Sequence, residues 1–283
     1  MLGLMGLSNP AKGQQYFRNT EFGIGVGGAH YFGDLNPNYG FKEPNLAFSV
    51  MYKKNFNPYI ALVGSVSYTQ VGYKDAYSEN AFQSARNLAF HSHILEAALS
   101  GEFNFFWFET AEPSKRWTPY LSLGIAGFYY EPTVSYGGKE IKLRTLGTEG
   151  QHLSQYQDRK YNNYSLAFPV GAGVKWWVAP GVNMSFEILN RFTMTDYLDD
   201  VSKTYVGIEH FYINPGVPTA ASYLQDPSSL EDGEKLGRAG KKRGDESTAD
   251  QYIMAQFKIT FQLKTYKCPK FENSMWKGSQ VSY

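Results

Sequence analysis

The sequence predicts an all-β fold: an eight-stranded antiparallel up-and-down transmembrane β-barrel with short periplasmic turns and longer extracellular loops. Three observations predict it. Apolar residues alternate with small or polar ones at period two along most of the 283 residues, with no apolar run long enough for a membrane helix. The composition suits a barrel wall. Aromatic residues make up 17%, with 22 Tyr and 20 Phe, there are 28 Gly, and only 19% of residues are charged, against roughly 25% in ordinary domains. The connections between candidate strands alternate in length, which a membrane barrel requires and a soluble sandwich does not. The mean hydropathy of −0.41 is that of a soluble chain, as expected when lipid-facing residues are only every second one.

The first candidate strand spans about residues 20–32 and leads into GVGGAHYFGDLN, Gly25 to Asn36. Gly23, Gly25, Gly27 and Ala29 share its inward face, leaving room for long side chains opposite. In the second, Leu46, Phe48, Val50 and Tyr52 oppose Ala47, Ser49, Met51 and Lys53. The third sets Ile60, Leu62, Gly64, Val66 and Tyr68 against Ala61, Val63, Ser65, Ser67 and Thr69. The fourth, NLAFHSHILEAALSGEFNFFWF, fixes inside and outside. Leu95, Ala97, Leu99, Gly101, Phe103, Phe105 and Trp107 carry no charge, whereas Glu96 and Glu102 lie on the other face. A basic residue facing lipid at mid-bilayer costs about 2–4 kcal/mol and an acidic one less, so the glutamates point inward. The fifth strand places Leu121, Leu123, Ile125, Gly127 and Tyr129 outward. The sixth places Phe168, Val170, Ala172, Val174 and Trp176 outward and Lys175 inward. The seventh turns Val182, Met184, Phe186 and Ile188 out, Glu187 and Arg191 in. The eighth turns Ile253, Ala255, Phe257, Ile259, Phe261 and Leu263 out and Lys258 in.

The short connections are NFNPY (55–59), TAEPSKRW (110–117) and APG (179–181); the others run roughly 33–44, 74–87, 131–163 and 196–249. Long loops outside and short turns inside put both termini in the periplasm. Glu96, Glu102, Lys175, Glu187, Arg191 and Lys258 form an expected paired network in the lumen. Lys175 and Glu187 are expected partners, on neighbouring strands two positions off register. A lumen so filled is not a general diffusion pore. Asp34 and Asn36 in GDLN are expected to bind their own backbone and fix the first outer turn, and Tyr197 to Asp200 to do the same for the fourth loop. The mixed-charge stretch SSLEDGEKLGRAGKKRGDESTADQ reads as a solvated loop. MLGLMGLSNPAKGQQ reads as a signal peptide or its remnant over 1–15, the barrel as 16–264, and 265–283 as a periplasmic tail.

Other functions have little to carry them. A net charge of +1 offers no basic excess for nucleic acid. Gly23-x-Gly25-x-x-Gly28 sits inside a strand pattern, where no dinucleotide fingerprint belongs. His91 and His93 share a face, but Glu96 points the other way, so no metal site and no cofactor is expected. Cys268 is the sole cysteine and forms no internal disulfide. A lipid hydrolase needs a Ser–His–acid group, yet Ser92 faces away from both histidines. Glu96 and Glu102 lie about 20 Å apart at ~3.3 Å per residue, too far for paired carboxylate chemistry. The chain is therefore expected not to be an enzyme.

GAHYFGDLN (28–36), NLAFHSHILEAALSGEFNFFWFE (87–109), TPYLSLGIAGFYYEP (118–132), SLAFPVGAGVKWW (165–177) and TDYLDDVSKTY (195–205) together resemble PorG-type outer-membrane proteins of the type IX secretion system. The resemblance runs from about residue 20 to 205 and resumes at the last strand. It implies a non-enzymatic outer-membrane component that anchors the periplasmic ring, built from a lipoprotein and its partner protein, at the outer membrane. By position, Lys115 and Arg116 in the second turn and Lys270 and Trp276 in the tail are the candidate contacts. The alternative is a small outer-membrane barrel, embedded in lipid, that binds ligands at the surface or passes solutes.

Overall fold

The computed structural model describes residues 20–109, 113–212, 217, 219–228 and 234–263. The expected signal segment 1–15 and the tail with Lys270 and Trp276 lie outside them. Nine strands form: β1 Thr20–Phe32, β2 Asn45–Asn55, β3 Ile60–Lys74, β4 Ala89–Asn104, β5 Trp117–Tyr136, β6 Lys139–Lys142, β7 Tyr164–Ala179, β8 Val182–Thr193 and β9 Gln251–Gln262. Each barrel strand pairs antiparallel with its sequence neighbour, β5 with β7 across the third loop, and β1 with β9. The eight strands other than β6 thus close a barrel and leave no edge, the condition for a sheet in lipid.

The pleat sorts the side chains. On β1, Glu21, Gly23, Gly25 and Ala29 are buried while Phe22, Ile24 and Val26 are about half exposed at 47%, 52% and 50%. The same exposed face runs round the barrel through Phe48, Val50, Leu62, Val66, Leu95, Leu99, Leu121, Leu123, Val170, Ile188 and Phe257. In water such a belt would far exceed the apolar patch of a monomer; hydrocarbon is its natural solvent. Aromatic rings border it. Phe106 packs edge-on to Trp117 at 5.2 Å at the turn end, and Tyr129 to Tyr164 at 5.2 Å at the loop end, as interfacial girdles do.

Glycine on β1 has a steric reason. A Cβ on Gly25 would stand 2.5 Å from Ser49 Oγ, and one on Gly27 would meet the Ala255 carbonyl. The small face of β1 lets β2 and β9 send their side chains across the lumen.

The loop end departs from expectation in one place. The third loop does not begin near residue 131: β5 runs on to Tyr136 and folds back as β6, with Val134 opposite Ile141. Gly137 and Gly138, at φ 59° and 76°, make the tight hairpin turn that L side chains disfavour. A packed core of Ala29, Tyr31, Phe90, Ile94, Phe128, Tyr130, Tyr252 and Met254 fills the loop half of the barrel and continues into Leu35, Leu88, Leu143, Leu198 and Val201 of the loops.

Candidate functional site

Two buried polar regions stand one above the other: the lumen of the turn half, and a cap made by the four long loops.

In the lumen every central carboxylate meets a cation. Glu102 lies between Lys53 Nζ at 2.9 Å and Lys175 Nζ at 2.7 Å. Glu96 receives Arg191 Nε at 3.2 Å and the Tyr252 hydroxyl at 2.6 Å. Glu187 receives Lys258 Nζ and the Tyr120 hydroxyl. Glu21 accepts from Thr260 Oγ1 at 2.6 Å and Asn55 Nδ2 at 2.8 Å. Burial of these ions is tolerated because Glu102, Glu96 and Glu187 are ion-paired and Glu21 is hydrogen-bonded by two neutral donors.

The pairing differs from expectation at Lys175, which bonds Glu102 rather than Glu187. Lys175 stands opposite Thr118 on β5, and Glu102 opposite Ser122 on the far edge of β5. In so narrow a barrel, side chains aimed at the axis reach over a neighbouring strand. The diagonal contact expected for Lys175 is made instead by Lys258, which faces Ser185 two residues from Glu187. Lys53 joins the network although it is not among the expected members; its place in the inward register with Ser49 and Met51 is the available signal. Between Ser49, Ser67, Ser100, Glu187, Arg191 and Lys258 lies a cavity of about 20 Å³, room for about one water.

The cap is built differently. Arg86, from the short helix α1 (Ala81–Arg86), chelates Asp75 with Nε and Nη2, both at 2.7 Å, and donates Nη1 to the Arg243 carbonyl. Arg243 in turn donates to Glu149 at 3.3 Å and to the carbonyls of Asp200 and Gln225. Glu149 also accepts Ser202 N–H at 2.9 Å and Lys203 N–H at 3.1 Å. Arg86, Arg243, Asp75 and Glu149 are all buried. The charged stretch 234–248 is exposed along most of its length, as expected, and Arg243 is its one buried residue. That anchor is not legible in sequence because Glu149 lies 94 positions from Arg243.

A second cluster holds aspartates. Tyr31 Oη lies 2.6 Å from Asp199 Oδ2 and 2.8 Å from Asp250 Oδ1, and all three side chains are fully buried. Phenol has one proton. It donates to one carboxylate, so the other contact needs a proton carried by a carboxyl group. Burial, then their mutual charge and that of Asp34, pushes Asp199 well above the usual carboxylate range, and burial with the charge of Asp196 does so for Asp250. Burial also raises Asp34 and Asp200 to about 6 and Asp196 to about 8.

Asn36 closes the first loop on its own backbone, donating to the Tyr31 and Gly40 carbonyls and accepting Gly40 N–H at 2.9 Å. Asp34 does not: its carboxylate accepts Asp245 N–H at 3.0 Å, in the fourth loop. The missing side chain of Gly244 lets that loop pass close enough. Asp199 does accept its local Val201 N–H at 2.9 Å, whereas Asp200 bonds Tyr161 and Thr148 of the third loop.

At the turn end, Lys115 Nζ sits 4.1 Å above the Trp107 ring and Arg116 5.4 Å from that of Trp177, so both cations dress the aromatic girdle. His93 bonds the Tyr68 hydroxyl at 2.9 Å and His91 lies 3.8 Å from Glu140. Ser92 faces the interior and accepts Glu131 N–H at 3.1 Å. Among the described residues no three His, Cys, Asp or Glu are grouped to hold a metal ion.

A family model described as a domain of unknown function (DUF6089) matches residues 11–209. No curated protein matches the sequence. Solved structures with a similar fold include neisserial surface protein A, at 9% identity and TM-score 0.42, covering 86% of this chain and 97% of that one. They also include Ail of Yersinia pestis, in complex with a heparin analogue, at 10% and 0.39, covering 86% and 97%. A major outer membrane protein of Thermus thermophilus stands at 8% and 0.40, covering 86% and 98%.

Proposed function

This chain belongs to the DUF6089 family, and from that premise we propose that it is an integral outer-membrane barrel, not a conduit, whose work is done at the cell surface by its loop cap. The observation that carries this reading is the contrast in construction between a filled lumen and a folded cap. Paired ions cross the lumen and the cavity among them holds about one water, while the long loops are joined by Arg86, Glu149 and Arg243. A rigid surface binds without the ordering cost of a floppy one. The short turns and both chain ends then face the periplasm. No chemistry is assigned to the protein, and a binding role fits its sites better than catalysis.

The test has two parts. Purified protein in a planar bilayer is expected to give no conductance steps, and an epitope placed between Gly137 and Gly138 is expected to bind antibody on intact cells. Steps of solute-sized conductance, or an epitope reached only after the outer membrane is broken, overturn the reading.

A second reading rests on the resemblance of GDLN, EFNFF and TDYLDDVS to PorG-type proteins: a docking role toward the periplasmic ring lipoprotein and its partner protein. Lys115 and Arg116, on a turn that faces the periplasm in this orientation, are its candidate contacts, with Lys270 and Trp276 in the tail. Crosslinking in cells with a loop-tagged chain, with and without residues 265–283, tests it. Recovery of ring proteins supports docking, and their absence from both samples ends it.

A further inference from the structure

A pocket of about 480 Å³ opens on the cap between α1 and the fourth loop, lined by Phe82, Lys235, Leu236, Arg238, Lys241 and Lys242. Four of its six lining residues are cations. Their backbone is fixed from three sides. Gly237 N–H donates to Asp226 Oδ2 at 2.7 Å and Leu236 N–H to Ser228 Oγ at 2.9 Å. Tyr205 N–H donates to the Lys241 carbonyl at 2.9 Å, Gly240 N–H returns to the Tyr205 carbonyl, and Thr204 bridges Lys242. Arg86 of α1, four residues from Phe82, holds the Arg243 carbonyl. Helix and loop are therefore positioned together.

The anions near these cations do not neutralise them firmly. Glu234 meets Arg238 at 2.6 Å and Asp245 meets Lys242 at 3.4 Å, but all four side chains are more than half exposed. Exposed pairs are worth about 0–1 kcal/mol, so an incoming oxyanion can replace them. Lys241 carries no ion pair among the described residues, and Lys235 is held over the Tyr223 ring at 5.6 Å. Phe82, 51% exposed, gives the pocket an apolar floor.

We propose that this pocket is a binding site for clustered phosphate or sulfate groups carried on a partly apolar or sugar framework. The inference rests on the surface-binding reading and names its ligand class. A phosphorylated glycolipid of the membrane and a soluble polyanion present the same chemistry to Lys241, Lys242 and Arg238.

The probe is inorganic tripolyphosphate, titrated by calorimetry into full-length protein in zwitterionic detergent. Saturable binding that weakens with salt is expected. The double variant Lys241→Glu/Lys242→Glu is expected to weaken it by about tenfold to a hundredfold, the worth of one or two charge-assisted hydrogen bonds. Lys160→Glu, an exposed charge reversal elsewhere in the loops, is expected to leave it within about twofold, as an isolated surface charge does. Unchanged heat-modifiable gel mobility shows that each variant is folded. Competition by a bisphosphorylated glycolipid in mixed micelles assigns the membrane as the source; competition only by a sulfated oligosaccharide assigns a soluble ligand. Failure of the wild type to bind tripolyphosphate, or equal loss in Lys160→Glu, overturns the proposal. If the Gly137–Gly138 epitope is still reached on intact cells, the ligand class alone has failed; if it is not, the surface reading has failed with it.

Discussion

The lumen and the aspartate cluster of the cap bury their acids by opposite means. In the lumen, Glu102, Glu96 and Glu187 each face at least one cation. In the cap, Asp199 and Asp250 face each other across one phenol, with Asp34 and Asp196 near enough to raise them. The lumen is balanced by fixed charge; the aspartate cluster is balanced by protons. A membrane-embedded interior that must hold at any external pH is built the first way. The aspartate cluster, in the loops above the lumen, is built the second way.

The strongest way to break this comparison is to unbalance the lumen. Glu102→Gln leaves Lys53 and Lys175 facing one another without their shared anion, and removing one partner of a buried ion pair costs about 3–5 kcal/mol. Loss of the heat-modifiable band at room temperature, or a large fall in the urea midpoint, is the expected result. Next, Arg243→Met strips the cap of its central donor and leaves Glu149 with the backbone N–H groups of Ser202 and Lys203 and a long bond from the Tyr197 hydroxyl, with no cation. A cost of about 2–4 kcal/mol is expected, read as protease cleavage within residues 196–250 while the barrel keeps its gel mobility.

Titration sharpens the contrast. The raised aspartates bind protons more tightly in the folded cap than in an open one, so their contribution is complete below the ordinary 3.8. It is lost as pH rises past about 6 for Asp34 and Asp200 and about 8 for Asp196. Amide exchange of the cap is expected to quicken from pH 5 to pH 8 beyond its intrinsic rate, with lumen strands unchanged. Asp199→Asn supplies the missing donor to Tyr31 permanently while its carbonyl still accepts Val201 N–H. It is expected to flatten the pH response and to gain about 1 kcal/mol at pH 8, the net worth of one hydrogen bond. The smallest effect belongs to Asp34→Ala. It frees Asp245 N–H at an exposed site and removes one like charge, so the fourth loop loosens locally by about 0.5 kcal/mol with heat-modifiable mobility unchanged.

How much of this was legible in the sequence follows from range. Alternation placed the eight strands, and two glutamates on one face of β4 were enough to separate lumen from lipid, because membrane burial penalises charge position by position. Glu96, Glu102, Lys175, Glu187, Arg191 and Lys258 all point inward for that local reason. Their partners were not legible. Lys175 reaches over β5 to Glu102, and Lys53, inward by alternation, meets Glu102 only once β2 and β4 curve toward one axis. The cap was hidden further still: GRAGKKRGDE has the composition of a solvated loop, and nothing within ten residues of Arg243 announces Glu149. Local composition reports what a segment could do alone, not which distant acid will anchor it.

The barrel's seam has a consequence for assembly. Residues 20–32 pair with 251–262, the longest loop closure in the chain and the one that completes the cylinder. Directly above that seam, Tyr31 meets Asp250 and Asp34 meets Asp245. Both contacts join the first strand's end to the segment entering the last. An unclosed chain lacks them, so the cap's final geometry, and with it the basic pocket, arises only when the cylinder is sealed. A finished cap therefore certifies a finished barrel: a chain that has not sealed its seam lacks the contacts that set the pocket's geometry.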